Sequence, residues 1–162
     1  MKIIVKNNTL SYDDFIFKCS IGKNGITTKK IEGDKKTPKG LYSFGPLYFR
    51  NDRVSKPITL LQSIPIRKNM GWCDDVKSKF YNKIINTKKK LRHEKLFIKK
   101  NDYDLLIPIN YNTKKTKKGK GSAIFLHLTK NYKKTLGCIA IKKKDMIILL
   151  KIITKQTKIE IT

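Results

Sequence analysis

The sequence predicts a mostly β domain with one buried C-terminal helix and one further short helix. Short runs rich in β-branched and aromatic residues recur along the whole chain, which is typical of strands. Glycine, proline and asparagine interrupt these runs, as they do at turns. Only residues 146–153 form a largely apolar run long enough for two helical turns. With 162 residues, 39% of them hydrophobic, the chain has the size of a single domain covering residues 1–162.

The N-terminal residues predict a hairpin followed by a third strand. Residues 2–5 and 9–12 flank Asn7 and Asn8, and asparagine tolerates the positive φ that a tight turn needs. Residues 15–21, again rich in aromatic and β-branched side chains, continue as the third strand.

A loop with four glycines follows at residues 22–40. It ends in a turn at Thr37-Pro38 and leads into a predicted strand at 41–44. The loop is either a plain connection between strands or the wall of a site, because long ordered loops in small β domains frequently carry function. Both interpretations are open from the sequence.

The segment around the only tryptophan has no clear periodicity. Trp72 is followed by the adjacent carboxylates Asp74 and Asp75, and then by Tyr81 and Asn82. We predict that these residues line a pocket rather than a core strand. The alternative is a loop whose tryptophan covers the core.

Two segments in the second half have distinct signatures. The lysine-rich residues 88–97 predict the short helix, with His93 and Glu94 on a mostly polar surface. Residues 103–111 predict a strand, and Pro108 indicates an edge or a bulge there.

The C-terminal part predicts the main helix and a last strand. Asp145 can cap the N-terminus of a helix through residues 146–153. Because only Lys151 interrupts the apolar side chains of this helix, we expect it to be buried against a sheet. Residues 158–162 then close the chain as a terminal strand.

The formal net charge of +26 is the most extreme property of the composition. Only four of the 38 basic residues are arginines, and the lysines run along the whole chain, including a basic loop at 112–121. Lysine, isoleucine and asparagine share AT-rich codons, so base composition accounts for this mixture. Readers of base edges rely on arginine and single-strand binders on exposed aromatic residues. We therefore expect no specific nucleic-acid partner, although a basic surface attracts polyanions such as an anionic cell envelope.

The cysteines and histidines predict neither a disulfide framework nor a metal site. Cys19, Cys73 and Cys138 are an odd number without a C-x-x-C pair. Together with His93 and His127 they match no compact spacing of zinc ligands. We therefore expect no metal and no other cofactor.

The chain shows no predicted membrane or export segment. No apolar run approaches the 18 residues of a spanning helix. The apolar run in residues 1–8 is too short for a secretory signal. As written, the sequence predicts a cytoplasmic protein.

The strongest candidate site joins two short apolar runs. Residues 123–128 and 138–141 have strand character and are separated by a polar loop, so we expect neighbouring strands that bring His127 and Cys138 face to face. An imidazole can take the proton of a thiol and so activate it as a nucleophile. Gly137 precedes the cysteine and lets successive N–H groups point at one spot, as an oxyanion hole requires. A thiol, a base and an anion pocket in one short segment indicate acyl transfer, whereas a buried Cys–His pair without chemistry is the simpler alternative.

These residues resemble the L,D-transpeptidase catalytic domain family, also called YkuD or ErfK/YbiS/YcfS/YnhG. The resemblance rests on motifs in the same order along nearly the whole chain: Gly33-Asp34-x-x-Thr37-Pro38-x-Gly40, Gly71-Trp72-Cys73-Asp74-Asp75, Tyr81-Asn82, Gly119-x-Gly121 through His127, and Thr135-Leu136-Gly137-Cys138. It implies a mostly β fold of sandwiched or mixed sheets around the site.

The resemblance also implies a reaction and roles for the residues. Cys138 would be the nucleophile toward peptidoglycan stem peptides, with His127 as the general base oriented by a backbone carbonyl such as that of Leu128. Backbone N–H groups of Leu136, Gly137 and Cys138 would hold the oxyanion. The side chains expected to contact the substrate are Trp72, Asp74, Asp75, Tyr81, Asn82 and Thr135. No metal is implied, and we expect a monomer.

The sequence departs from the family pattern at two positions. Many members carry histidine directly before Gly-Cys and arginine or asparagine two residues after the cysteine, where this chain has Leu136 and Ala140. One alternative that follows is an L,D-carboxypeptidase or endopeptidase, in which water replaces the acceptor amine. The basic composition leaves a second alternative, a non-enzymatic protein that binds polyanions. The resemblance also implies a periplasmic or envelope location, in contrast to the apparent lack of a signal peptide.

Overall fold

The chain folds into β-sheets with a single α-helix near its C-terminus, as the sequence predicts. The computed structural model describes residues 1–162. Two five-stranded sheets, a three-stranded sheet and a two-stranded ribbon account for all strands. In chain order these are β1 Lys2–Lys6, β2 Thr9–Tyr12, β3 Phe15–Lys18, β4 Ile26–Thr27, β5 Thr37–Pro38, β6 Gly40–Ser43, β7 Leu47–Phe49, β8 Ser63–Pro65, β9 Met70–Cys73, β10 Ile84–Asn86, β11 His93–Lys95, β12 Leu105–Pro108, β13 Phe125–Leu128, β14 Ile139–Ile141 and β15 Lys158–Ile161, with helix α1 at Lys143–Ile152 and 3₁₀ turns at Thr87–Lys89 and Asn101–Tyr103.

The first five-stranded sheet joins both ends of the chain. Its order is β3-β2-β1-β15-β6, with β15 parallel to β1 and antiparallel to β6. The predicted N-terminal hairpin is confirmed, and Asn7 at its turn has a φ of 54°. The terminal strand is confirmed as well, but it lies inside the sheet. The chain ends are therefore held by the ladders on both sides of β15.

The second five-stranded sheet carries the candidate site. Its order is β14-β13-β12-β7-β8, and β13 runs parallel to β14. Side chains alternate between the two faces of a strand. Leu126 and Leu128 of β13 therefore point into a large core that they share with Ile3 and Val5 of the first sheet. Phe125 points the other way, into a smaller apolar cluster.

Helix α1 covers this large core, but its start differs from the prediction. It begins at Lys143, and Lys142 occupies the N-cap position without a capping side-chain hydrogen bond. Asp145 lies in the first turn and is buried. Ile147 and Ile148 are 37% and 38% exposed, so the helix buries one face rather than its whole circumference. Helix α1 has ten residues, and no helix is long and apolar enough to cross a membrane.

The segment around Trp72 is a strand, which corrects the expectation of an irregular pocket wall. Strand β9 is the central strand of the three-stranded sheet, between β10 and β11. The expected short helix at 88–97 is also wrong, because the residues form a 3₁₀ turn and then strand β11. Antiparallel pairing of His93 with Cys73 overrides the helical propensity of the lysines. Gly71 makes room for this pairing, since a Cβ there would lie 2.6 Å from the His93 ring.

The strand with Pro108 is not at an edge. Strand β12 pairs with β13 on one side and β7 on the other. Pro108 is the last residue of the strand, where the lack of an N–H interrupts few ladder bonds. An interior strand can therefore tolerate this proline.

Candidate active site

The structure brings Cys138 and His127 to the same face of the second sheet. Cys138 directly precedes β14, and its Sγ accepts a hydrogen bond from the N–H of Phe125 at 3.3 Å. Phe125 and His127 are two residues apart on β13 and so project from one face. The ring of Tyr103 connects them, with its centroid 6.0 Å from Phe125 and 5.2 Å from His127. Cys138 belongs to the same buried cluster as Phe125 and Tyr103.

His127 is arranged as a neutral base. Its Nδ1 lies 2.9 Å from the carbonyl oxygen of Leu128. A carbonyl can only accept, so Nδ1 carries the proton and Nε2 keeps a free lone pair. Nε2 makes no hydrogen bond within the protein. Burial lowers the pKa of His127 below its ordinary value, which favours this neutral form.

Cys138 is a thiol in this structure rather than a preformed thiolate. Its Sγ–H donates to the carbonyl oxygen of Ala123 at 3.2 Å. Burial raises the pKa of the Cys138 thiol well above its ordinary value, and the charge of Glu94 raises it further. The nucleophile must therefore lose its proton during attack, and a neutral imidazole on the same face can accept that proton.

The turn before the nucleophile needs glycine and is braced by the loop 22–40. Gly137 has a φ of 139°, and a Cβ there would lie 2.9 Å from the carbonyl oxygen of Lys36. The buried hydroxyl of Thr37 donates to the Gly137 carbonyl at 2.9 Å and accepts from the N–H of Gly22 at 2.8 Å. The sequence allowed two interpretations of the loop 22–40, a plain connection or the wall of a site. In the structure this loop supports the backbone of the site.

The Thr135 side chain accepts a hydrogen bond from one of the three backbone N–H groups predicted for the oxyanion hole, that of Gly137. Its Oγ1 accepts from the N–H of Gly137 at 3.1 Å and donates to the carbonyl of Cys138 at 2.6 Å. The N–H groups of Leu136 and Cys138 donate to no turn or loop carbonyl. These two amides are thus the available donors beside the thiol, and the Gly137 amide is engaged.

Asn82 connects three parts of the chain behind the site. Its side-chain oxygen accepts from Trp72 Nε1 at 2.9 Å and from the Ala123 N–H at 3.0 Å, and its amide donates to the carbonyls of Tyr111 and Asn112. Ala123 is held at a φ of 53°, in the left-handed region. The Ala123 carbonyl accepts the hydrogen bond from the Cys138 thiol. Asn82 therefore fixes the backbone against which the thiol rests.

Replacing Asn82 by alanine is expected to destabilise the fold by roughly 3–5 kcal/mol, because four hydrogen bonds, two of them buried and two part-buried, lose their partner at once. The residue is 3% exposed and has a φ of 59°, so alanine would also be strained. Urea denaturation measures the change in the free energy of unfolding. Asn51→Ala, at an exposed turn residue without side-chain hydrogen bonds, is the matched control and should shift stability by less than about 0.5 kcal/mol. Equal effects of both substitutions would contradict the role of Asn82.

The other predicted substrate contacts have partners within the protein. Trp72 and Tyr81 are buried, with the Trp72 ring edge-to-face on Phe125 and the Tyr81 hydroxyl bonded to Glu32. Asp74 pairs with Arg92 at 3.1 Å, and Asp75 accepts the N–H of Lys77 in a turn. Asp74, Asp75 and Thr135 are partly exposed. Contact of any of these side chains with a substrate stays a prediction.

Two residues beside the site were missed from the sequence. Tyr103 contacts His127, and its hydroxyl donates to Glu94. The sequence placed Tyr103 at the start of a strand and Glu94 on the polar surface of a short helix, and neither residue was predicted to lie near the site. They meet only because strand β11 and the second 3₁₀ turn are brought together by tertiary packing, so no local signal in the sequence could have found them.

Lysines line two clefts on either side of the loop 112–121. One cleft has a volume of about 610 Å³ and the other about 280 Å³. The loop is ordered, since Asn112 bonds to the backbone of Lys117 and Gly121. No carboxylate lines either cleft. Their lysines are Lys29, Lys30, Lys115, Lys117 and Lys120 in the larger and Lys79, Lys83, Lys114 and Lys118 in the smaller.

Comparisons with known proteins identify the family of the chain. One solved structure, of Bd1075 from Bdellovibrio bacteriovorus, superposes with a TM-score of 0.50 at 18% sequence identity. The likeness covers 99% of this chain and 47% of the other, so this chain spans about half the length of that protein. At this low sequence identity the likeness supports the fold alone. No curated protein matches the chain. The family model of the YkuD L,D-transpeptidase catalytic domain matches residues 1–161, and the chain therefore belongs to this family of L,D-transpeptidase-type enzymes.

Proposed function

We propose that residues 1–162 act as one monomeric catalytic domain, a cysteine acyltransferase that crosslinks peptidoglycan stem peptides through a thioacyl intermediate on Cys138. The observation that carries the proposal is the placement of the Cys138 thiol and a neutral His127 on the same face of the second sheet. Membership of the YkuD family supports the reaction type. The chemistry needs no metal and no other cofactor.

The first half-reaction forms a thioester. Sγ of Cys138 attacks the carbonyl carbon at the L-centre of diaminopimelate while the thiol proton passes to Nε2 of His127. The carbon–nitrogen bond to the terminal D-alanine then breaks, and the imidazolium returns its proton to the departing amine. In the second half-reaction the amine of a neighbouring stem attacks the thioester carbonyl carbon and gives up a proton to Nε2 of His127. The carbon–sulfur bond then breaks, and the imidazolium returns the proton to Sγ of Cys138.

The oxyanion of each tetrahedral intermediate needs two or more N–H donors. We assign the N–H groups of Leu136 and Cys138 to this role. The Gly137 amide would join them after the Thr135 hydroxyl turns away. Asp74, Asp75 and Thr135 are proposed as substrate contacts, with Trp72, Tyr81 and Asn82 supporting them from the interior.

Water in place of the acceptor amine would give hydrolysis of the same peptides. Leu136 is exposed but apolar, and Ala140 is apolar and fully buried, so neither position offers a polar side chain to a stem peptide. This feature favours an L,D-carboxypeptidase or endopeptidase as the alternative outcome.

Incubation with purified peptidoglycan tests the proposal and separates the two outcomes. A crosslinking enzyme is expected to release D-alanine and to produce new dimeric muropeptides, measured by chromatography and mass. A hydrolase is expected to release D-alanine, or to separate existing crosslinks, without new dimers. If neither product forms, the assignment of peptidoglycan peptides as the substrate is wrong.

The lysine-lined clefts favour a second candidate function, the binding of an anionic polymer without chemistry. This function predicts an affinity for a polyphosphate probe that falls steeply between 50 and 200 mM salt, by on the order of tenfold or more. It also predicts that Cys138→Ala binds like the wild type. An affinity that is independent of salt would exclude this candidate.

A further inference from the structure

Glu94 and Tyr103 form a polar pair inside the apolar cluster of the site. Tyr103 is 8% exposed, and its ring lies edge-to-face against His127 at an interplanar angle of 77°. The Tyr103 hydroxyl donates to Oε1 of Glu94, which projects from β11. Tyr103 therefore contacts the base through its ring and holds an acidic side chain through its hydroxyl, so it links the positions of His127 and Glu94.

Glu94 lacks a cationic partner although the chain carries a net charge of +26. It takes part in none of the five salt bridges, and its only hydrogen bond is the one from Tyr103. Burial raises the pKa of Glu94. A part-buried carboxylate without a cation is costly, and such groups are concentrated at functional sites.

The charged groups around the pair come from several elements. The Cys138 thiol is affected by Glu94, whose charge raises its pKa, and by Lys30, whose charge lowers it. Lys30 is itself paired with Asp34 at 2.5 Å. Glu94 is affected by Asp74 and Glu32 in addition to Tyr103. The charged group that acts on His127 is Asp102, which raises the pKa of the imidazole against the effect of burial. Glu94 is thus the acidic group with the strongest influence on the thiol.

We propose that Glu94 and Tyr103 are positioning residues for the Cys138–His127 pair. The Tyr103 ring fixes the plane of the imidazole, and its hydroxyl fixes the carboxylate of Glu94. The negative charge of Glu94 disfavours a thiolate in the free enzyme. It adds to the charge of Asp102 in stabilising the imidazolium that forms when His127 takes the thiol proton. The effect on the imidazolium rests on the proposed acyl transfer. The effect on the thiolate rests on thiol chemistry alone.

The two effects of the Glu94 charge predict that one substitution changes the alkylation and acylation rates of Cys138 in opposite directions. Glu94→Gln keeps the shape of the side chain but removes the charge. The alkylation of Cys138 by iodoacetamide is expected to become about tenfold faster at a given pH, because a thiolate forms more readily when its pKa falls by one unit. Acylation of Cys138 by a carbapenem is expected to become about tenfold slower, because the imidazolium loses its counter-charge.

Tyr103→Phe is expected to shift both rates in the same directions by a smaller factor, since it keeps the ring and frees the carboxylate. Matched controls are Glu160→Gln, which removes a carboxylate paired with Lys2, and Tyr111→Phe, which removes a hydroxyl bonded to Lys120. Both controls should leave the two rates unchanged.

The experiment quantifies alkylation and acylation of the full chain by mass spectrometry of the Cys138 peptide, from pH 5 to 10. Rates that rise and fall as stated support the proposal. Rates that fall together, stay unchanged, or are accompanied by new alkylation of the buried Cys19 and Cys73 overturn it, because these outcomes indicate loosened packing or no role. If the wild type alkylates but takes no acyl group, the proposed function fails while the alkylation comparison still decides the role of Glu94.

Discussion

Cys138→Ala is expected to abolish the covalent adduct that the wild-type protein forms with a carbapenem or a stem tetrapeptide. The adduct needs a nucleophilic sulfur, and the methyl group of alanine supplies none. Intact-protein mass spectrometry should show one added acyl group on the wild type and none on the variant. Turnover of stem peptides should fall to the uncatalysed level for the same reason.

The two other cysteines supply the controls for this result. Cys19 and Cys73 are free and buried, and each has an exposed fraction of 1% or less. Burial raises the pKa of Cys19 to about 12, and its side chain packs in the large core, apart from the cluster in which Cys138 and Tyr103 lie near the base. Cys19→Ala and Cys73→Ala should therefore keep the adduct. An adduct that persists in Cys138→Ala would overturn the assignment of the nucleophile.

The core of the site could be predicted from the sequence because its signals are local. Two apolar runs with strand character, one histidine and one glycine before a cysteine are enough to predict neighbouring strands with a thiol and a base. The structure pairs β13 with β14 as this pattern implies. The strong conformational demand at Gly137, with its φ of 139°, explains why a glycine signals a special turn there.

The surroundings of the site could not be predicted, because they depend on contacts between distant segments. Local residue preferences gave a helix at 88–97, whereas pairing with β9 makes residues 93–95 a strand. The same pairing brings Glu94 to Tyr103. Trp72 appeared to lie in an irregular pocket wall because its strand is short and buried on both sides. Because both faces of the strand are covered, its residues do not alternate between apolar and polar side chains. The strands that pair with it, β10 and β11, follow later in the chain and leave no local signal.

The non-polar residues around Cys138 bear on which stem the proposed enzyme recognises. Leu136 and Ala140 stand where many family members carry polar side chains, but the backbone N–H groups next to Cys138 do not depend on side chains. In the proposed acyl transfer, formation of the acyl-enzyme would need only Cys138, His127 and these backbone donors. Recognition of the stem, and with it the type of crosslink, would depend on side-chain contacts that Leu136 and Ala140 do not provide.

His127→Gln is expected to slow acylation of Cys138 by roughly 10²–10⁴-fold, the usual contribution of a general base. The effect should be large because the thiol is not ionised beforehand: burial raises its pKa, so each attack needs a proton acceptor. His93→Gln is the matched control, since His93 is the only other histidine and lies in the three-stranded sheet. A similar loss in both variants would argue against His127 as the base.

The pH dependence gives the same base an independent signature. Burial lowers the pKa of His127 below 6.5, so the folded protein keeps the neutral base at pH values where an ordinary histidine is protonated. The acid limb of the acylation rate is therefore expected to have its midpoint below 6.5. The unfolded chain takes up the proton near 6.5, so the stabilisation linked to this group is complete above that pH and is lost as the pH falls toward the lower folded pKa. Acylation rates and urea midpoints measured between pH 4 and 8 test both statements, and His127→Gln should lose the acid limb. A midpoint above 6.5 would mean that the imidazole is stabilised as a cation, and the thiol would then be activated as an ion pair rather than by proton transfer during attack.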